Sequence, residues 1–403
     1  MITTTAPFSL PECAPAKAGP VLRLMQKLQH GALEVQWPDG THAHFGSATD
    51  GQPRASIRLK NWHVCTAALK SGDIGFAETY IAGDWSTPDL PSLLKLFIAN
   101  RDAMEQLVYG TWWGSLLYRV RHVFNRNSRE GSKKNIHAHY DLGNAFYSLW
   151  LDPTMNYSSA WFNGDPGQTM ADAQAAKMHR VLTECRVAPG QRVLEIGCGW
   201  GALAEHAAKA FGAEVRGVTL SAEQLQWAQT RLQGQGLPGD LRFQDYRDID
   251  DGPFDAIASV EMFEAVGRAY WPQFFETVKR QLKPGGRACI QSITIRDDLF
   301  DRYVRSTDFI QQYIFPGGLL PSTHEFRRAA TAAGLTVVNE LAFGTDYADT
   351  LRRWRERFLS EEQAVRQLGF DTRFMRIWEF YLAYCEAAFA TGNTNVVQFT
   401  LQA

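Results

Sequence analysis

The chain has 403 residues, enough for two domains rather than one small core. Its formal charge of −2 gives no global field for nucleic acid, and its six cysteines, scattered without paired or metal spacing, give no disulfide framework and fit a reducing compartment. No uninterrupted apolar run reaches the ~18 residues of a spanning helix. Residues 1–20 lack the apolar stretch and basic flank of a signal peptide, so the chain reads as cytoplasmic, soluble or peripheral to a membrane.

Residues 1–20, rich in Thr, Pro and Ala, predict a disordered lead-in. Amphipathic spacing predicts a helix over 21–29, and 33–37 with 41–45 around Pro38-Asp39-Gly40 predict a hairpin. A short strand at 55–59 and helices at 62–69 and 90–103 complete a small α+β unit. In 111–139, Trp112, Trp113, Leu116 and Phe124 share the chain with Arg119, Arg121, Arg126, Arg129, Lys133 and Lys134, opposed only by Glu130. Such a stretch reads either as an interfacial helix on an anionic membrane or as an interdomain helix with a basic linker. Boundaries follow: an N-terminal domain over 21–124, a linker over 125–137 and a second domain over 138–403.

The second domain is built on V-L-E-I-G-C-G-W-G (193–201), an apolar strand, a glycine turn and a helix over 202–210. Glycines without Cβ let the backbone take positive φ and approach a ligand. A dinucleotide fold wants an acidic residue about 20 positions on, at the end of the second strand. That strand, 214–220, ends instead in Thr219, Leu220, Ser221 and Gln224, with Glu214 at its wrong end. Strands near 241–243, 254–260 and 287–295 complete five β units of a parallel sheet. A helical, aromatic-rich insertion follows near 297–328, then helices over 349–389 and a last strand at 395–401. Arg352, Arg353, Arg355 and Arg357 around Trp354 suit phosphates or, preferably, a solvated helix face. The pairs His42/His44 and His137/His139 lack Cys or carboxylate partners, and no metal is expected.

The set V-L-E-I-G-C-G-W-G, G-V-T-L-S-A-E-Q, Q-D-Y-R-D, S-V-E-M-F-E-A-V-G and L-K-P-G-G resembles the class I S-adenosylmethionine-dependent methyltransferases. The T-L-S-x-x-Q and M-F-E variants resemble one branch, the cyclopropane fatty acid synthases, as do H-Y-D-L-G-N (139–144), Y-S-S-A-W (157–161), Y-I-F-P-G-G (313–318) and F-G-T-D-Y (343–347). More loosely, 72–85 resembles that family's N-terminal, lipid-access domain. The resemblance implies an α/β fold, a Rossmann-like sheet with a helical cap insertion beside the N-terminal α+β domain. It implies S-adenosylmethionine held by Tyr140, Tyr157, Ser158, Glu195, Gly197, Gly199, Trp200, Gly201, Thr219, Leu220, Gln224, Asp245, Tyr246 and Arg247. Thr219 and Gln224 also read as ordinary capping of the helix that follows Ser221.

The implied reaction is methyl transfer to the double bond of an unsaturated acyl chain, in a phospholipid of an anionic membrane surface, giving a cyclopropane. An alkene has no proton to lose before attack, so the first step needs proximity and a dry, cation-tolerant site. In the family a bound bicarbonate takes the final proton, which would place Glu264, Tyr347, Gln291, Ile293 and Ser159 around it. Cys385 matches a cysteine named as active in the family, but an alkene offers a nucleophile nothing to attack. Two departures weaken ring closure: Gln291 stands where the family has His, and Ala265 where it has another. Gln291 can hydrogen-bond an anion through its amide but cannot pass a proton on. A methyl-branched or methylene product is therefore the alternative. A non-catalytic lipid-binding protein and a small-molecule methyltransferase are the rivals, and a homodimer stays open.

Overall fold

The computed structural model describes residues 14–103 and 142–403. The basic aromatic stretch 111–134, the linker 125–137, His137, His139 and Tyr140 lie outside the described residues.

The amino-terminal unit carries α1 (Gly19–Met25), β1 (Gly31–Gln36), β2 (His42–Ser47), β3 (Arg54–Leu59), α2 (His63–Ala82), β4 (Trp85–Ser86) and α3 (Leu90–Ala99). Its sheet has the order β2-β1-β3-β4, with β1 antiparallel to β2 and parallel to β3. The expected lead-in is shorter than residue 20: Ala16–Ala18 form a 3₁₀ turn, and α1 buries Val21, Leu22 and Met25. The helix expected at 62–69 runs on to Ala82 through a kink at Gly72 (φ 60°, ψ −135°). Residues with a Cβ take that conformation only at a cost that glycine escapes, so Gly72 bends the helix instead of ending it.

The second unit carries α4 (Asn144–Trp150), α5 (Met170–Glu184), β5 (Arg192–Ile196), α6 (Ala202–Phe211), β6 (Glu214–Thr219), α7 (Ala222–Gln233), β7 (Asp240–Phe243), β8 (Phe254–Val260), α8 (Trp271–Gln281) and β9 (Leu282–Ile295). It continues through α9 (Asp297–Arg305), α10 (Phe309–Tyr313), α11 (Thr323–Ala332), β10 (Thr336–Ala342), α12 (Gly344–Ser360), α13 (Glu362–Gln367), α14 (Thr372–Ala390) and β11 (Thr394–Gln402). The strands make a seven-stranded sheet of order β10-β11-β9-β8-β5-β6-β7. The five expected units, β9-β8-β5-β6-β7, are parallel. Their Val, Ile and Ala runs are buried on both faces, as helices on either side of a parallel sheet require. β11 and β10 add antiparallel strands at one edge.

Of the insertion expected at 297–328, α9 and α10 form the cap, whereas α11 packs on the sheet, with Phe326 stacked on Phe399 at 3.9 Å. A second apolar cluster joins the amino-terminal sheet, α4, α12 and α14 in one continuous core through Trp85, Phe146, Trp354 and Trp378. The arginines around Trp354 are occupied by protein: Arg352 pairs with Asp349 and Glu356, Arg353 with Asp349, and Arg355 with the buried Glu386, while Arg357 donates to the Leu149 carbonyl. Among the described residues no helix is long and apolar enough to cross a membrane, and no cluster of ligating side chains could hold a metal.

Phe326 and Phe399 are both fully buried, so Phe326→Ala leaves a cavity under the sheet. Urea unfolding should register a loss of about 3–5 kcal/mol. A loss below about 1 kcal/mol would mean that α11 does not close this layer.

Candidate active site

β5, β6 and β8 end on one side of the sheet, and the turns leaving them open into a cavity of about 340 Å³. This is the crevice at the carboxyl ends of parallel strands where ligands of open α/β sheets bind. One half of its wall is polar and built from the sheet: Glu195, Gly197, Gly199, Thr219, Gln224, Glu261 and Glu264. The other half is built from the helical cap, α12 and α14, with Ile310, Phe315, Leu351, Tyr381, Ala388 and Phe389 among its residues.

The three glycines of the turn have different reasons to be glycine. A Cβ on Gly197 would strike Met262 at 2.8 Å, and one on Gly201 would strike Ala228 at 2.8 Å. A Cβ on Gly199 (φ 51°) meets nothing within 4 Å, so this position is open to a ligand. Beside it Glu195 is 4% exposed, and its Oε2 has no hydrogen-bond partner. Burial pushes its carboxyl up to about 8, opposed by the Lys177 charge. An orphaned carboxylate oxygen, an open glycine turn and the strand-end crevice fit the ammonium and nucleoside parts of S-adenosylmethionine.

The other expected cofactor residues divide. Tyr157, Ser158, Trp200, Thr219, Leu220, Gln224 and Tyr246 line the cavity. Gly201, Asp245 and Arg247 do not: Gly201 packs on α7, and Asp245 holds Arg247 in a buried two-point ion pair at 2.6 and 2.8 Å. Ser221 caps α7 through Gln224 N–H at 3.3 Å, and Thr219 Oγ1 lies 3.3 Å from Gln224 Oε1, so the capping role expected for this stretch is present as well.

Three of the five residues expected around bicarbonate, Ser159, Gln291 and Tyr347, converge on a protein group. Glu261 Oε1 accepts from the Ser159 N–H at 2.8 Å and from Gln291 Nε2 at 2.8 Å; its Oε2 accepts from the Tyr347 hydroxyl at 2.7 Å. Gln291 therefore has a protein carboxylate as its partner. Fully buried, it does not line the cavity; one N–H of its amide goes to Glu261, and its Oε1 accepts from Gln398 Nε2 at 3.0 Å. Ser159 likewise lies behind the wall, its hydroxyl donating to the Ala160 carbonyl. Glu264 accepts from the Ile293 N–H and from the Ser292 hydroxyl through Oε1, and its Oε2 is buried without a partner. Burial and the neighbouring Glu261 push Glu264 up to about 8. Cys385 lines the apolar half, where burial drives its thiol far above the ordinary range, as suits a wall group and not a nucleophile.

Glu261 is the residue the sequence did not single out. It is one of four non-glycine residues with positive φ (49°) among the described residues, immediately after β8. A left-handed glutamate is held there by its surroundings, and such residues gather at functional sites. Lys177, fully buried and on the cavity wall, was missed too.

The family model described as mycolic acid cyclopropane synthetase matches residues 127–399. The chain belongs to that family of S-adenosylmethionine-dependent methyltransferases. It is 38% identical over 398 residues to the tuberculostearic acid methyltransferase of Mycobacterium tuberculosis, covering 96% of this chain and 92% of that protein. It is 36% identical over 355 residues to the cyclopropane-fatty-acyl-phospholipid synthase of Escherichia coli, covering 88% and 89%. A mycolic acid cyclopropane synthase complexed with SAH and CTAB superposes with a TM-score of 0.63 at 31% identity, over 67% of this chain and 98% of that one. The family and fold expected from the motifs therefore stand.

Two measurements check this cyclopropane-synthase-family site. Gly199→Ala should cost about 1–2 kcal/mol of stability for its left-handed backbone. It should also weaken S-adenosylmethionine binding by calorimetry at least about tenfold, or 1.4 kcal/mol; unchanged affinity would move the ligand elsewhere. For Glu264, the folded value near 8 lies above the ordinary 4.5, so between them the folded state binds more protons and stability falls as pH rises. The melting midpoint of Glu264→Gln should therefore fall less between about pH 5 and pH 8 than that of the wild type. Parallel curves would show that Glu264 is not held neutral.

Proposed function

We propose that the protein methylates the double bond of an unsaturated fatty acyl chain carried on a phospholipid, and that Glu261, not bicarbonate, takes the proton released. Bound S-adenosylmethionine supplies an electrophilic methyl group on a sulfonium. The observation carrying the reading is the Glu261 carboxylate on the cavity wall, bonded to three of the groups that the family resemblance assigns to an anion.

The chain's residues act in three ways. The apolar half of the cavity takes the acyl chain and excludes water, which would trap a carbocation. Aromatic groups on that wall, Phe315, Tyr381 and Phe389 among them, tolerate positive charge on the chain once the alkene's π pair has bonded to the methyl carbon. Glu261 then accepts one proton from the methylated chain, and the electrons of the broken C–H bond quench the cation. Its three donors oppose the burial that raises it and fix it for that transfer.

Where those electrons go sets the product. Closing on the cationic carbon gives the cyclopropane; forming a double bond after the cation has moved to the methylated carbon gives a methylene branch. We favour the methylene product, because Glu261 takes three groups of the expected bicarbonate set and a relative aligned over 96% of this chain is named a tuberculostearic acid methyltransferase and not a cyclopropane synthase. The Escherichia coli relative supports the cyclopropane as the second reading, and the phospholipid as the carrier.

Gas chromatography–mass spectrometry of acyl lipids from cells expressing the protein should show chains one methylene heavier. The purified enzyme should turn over at the same rate with bicarbonate stripped or restored. Glu261→Gln should lose at least about a hundredfold of turnover, within the 10²–10⁴ range of general-base catalysis. Wild-type turnover in Glu261→Gln, or dependence on bicarbonate, would overturn the assignment of the base.

A further inference from the structure

Lysine is almost never fully buried unless paired, and Lys177 is 0% exposed. It lies on α5 three residues after Gln174, also 0% exposed, so both project from one helix face. Lys177 Nζ donates to Ser158 Oγ at 2.6 Å, and Gln174 Nε2 donates to the Ser158 carbonyl at 2.8 Å. One residue is thereby gripped by side chain and backbone, and the next residue's N–H is the Ser159 donor to Glu261.

We propose that Lys177 is a positioning residue for the reaction: with Gln174 it clamps Ser158 so that the Ser159 N–H is aimed at Glu261, and its ammonium is the buried positive charge that keeps Glu261 a carboxylate. The inference rests on the reading of Glu261 as the base.

The charges around the pair agree. Lys177 faces Glu261 after β8, Asp152 after α4 and Glu195 on β5, and those carboxylates oppose the burial that lowers it to about 8. Glu261 faces Tyr347 on α12, Gln291 on β9, the Ser159 N–H, Lys177 on α5 and, as a like charge, Glu264. Burial raises Glu261, while Lys177 and the three donors oppose it. Lys177 is the one cation in that set, so its loss leaves Glu261 buried among acids.

The sign of the effect follows. Without the ammonium, Glu261 protonates at higher pH, and the acid limb of the rate profile moves up. Lys177→Met and Lys177→Gln, made in parallel so that one folded variant suffices, are assayed for methyl transfer to dioleoylphosphatidylglycerol vesicles across the pH range. The acid limb of kcat should rise by about one to three pH units, the range for loss of one neighbouring opposite charge. Most of the wild-type rate should return at the alkaline plateau. S-adenosylmethionine affinity by calorimetry should stay within about threefold, and Lys177→Arg should keep the acid limb where the wild type has it. A uniform fall in kcat with an unmoved limb would reduce Lys177 to packing and overturn the inference. A collapse of cofactor affinity would make it a cofactor ligand instead, and failure of both neutral variants to fold would assign it to the core alone. These results are separable from failure of the base assignment, which shows as wild-type turnover in Glu261→Gln.

Discussion

A carboxylate walled inside a protein survives as an anion only where donors and charge replace the water it has lost. Glu261 meets that constraint with groups from four separate stretches of chain, and much of the architecture can be read as their delivery. β8 lies beside β9, so Gln291 reaches across one strand spacing; β11 lies on the far side of β9, so Gln398 locks the Gln291 amide from behind. α12 returns to the cavity with Tyr347, and the loop before α5 brings the Ser159 N–H. Even the left-handed backbone of Glu261, which costs on the order of 1–2 kcal/mol, is affordable because these bonds over-determine it.

Two carboxylates so near each other cannot both be comfortable as anions, and the structure resolves the conflict by unequal environments. Glu261 has three donors and a lysine charge, whereas Glu264 keeps one orphaned oxygen and is pushed up to about 8. Burial raises both, but at Glu261 the donors and the lysine charge oppose it, which suits the role of base proposed for it. Environments that drive neighbouring acids apart in this way mark acid and base roles. After burial, the charge that raises Glu264 is Glu261 itself, so protonating Glu261 relaxes its neighbour.

The glycine turn, the five parallel strands and the family were legible because each rests on local pattern: apolar runs, glycine spacing and motif order. β10 was not, since its exposure follows no clean alternation and its Val338 is 41% exposed. Gln291, Tyr347 and Ser159 were legible as donors, yet what they donate to was not, because donor types do not name their acceptor. Glu261 sits three residues from Glu264 in S-V-E-M-F-E, and nothing in the string says which acid faces the anion pocket. Its positive φ makes the distinction, and that is a tertiary fact. Lys177 was hidden similarly, in an alanine-rich helix where a lysine ordinarily means a solvated face.

The apolar half of the cavity also depends on the amino-terminal unit, by contacts no motif foretells. Tyr384 lines the cavity and donates to Asp73 on α2 at 2.9 Å, just past the kink at Gly72. Asp73 also accepts from the Phe309 N–H at the start of α10. Further along the same helix Tyr313 donates to Glu78, and Tyr80 donates to Glu379 on α14, each at 2.6 Å. Tyrosine–carboxylate bonds therefore tie one kinked helix both to the cap and to the helix behind the cavity. Burial raises Asp73 to about 7 and Asp308 to about 6, so this seam, like the active site, keeps acids away from bulk water. Among the described residues, the amino-terminal unit thus lends the cavity no lining residue but braces, through these bonds, the helices that form the wall expected to receive the acyl chain.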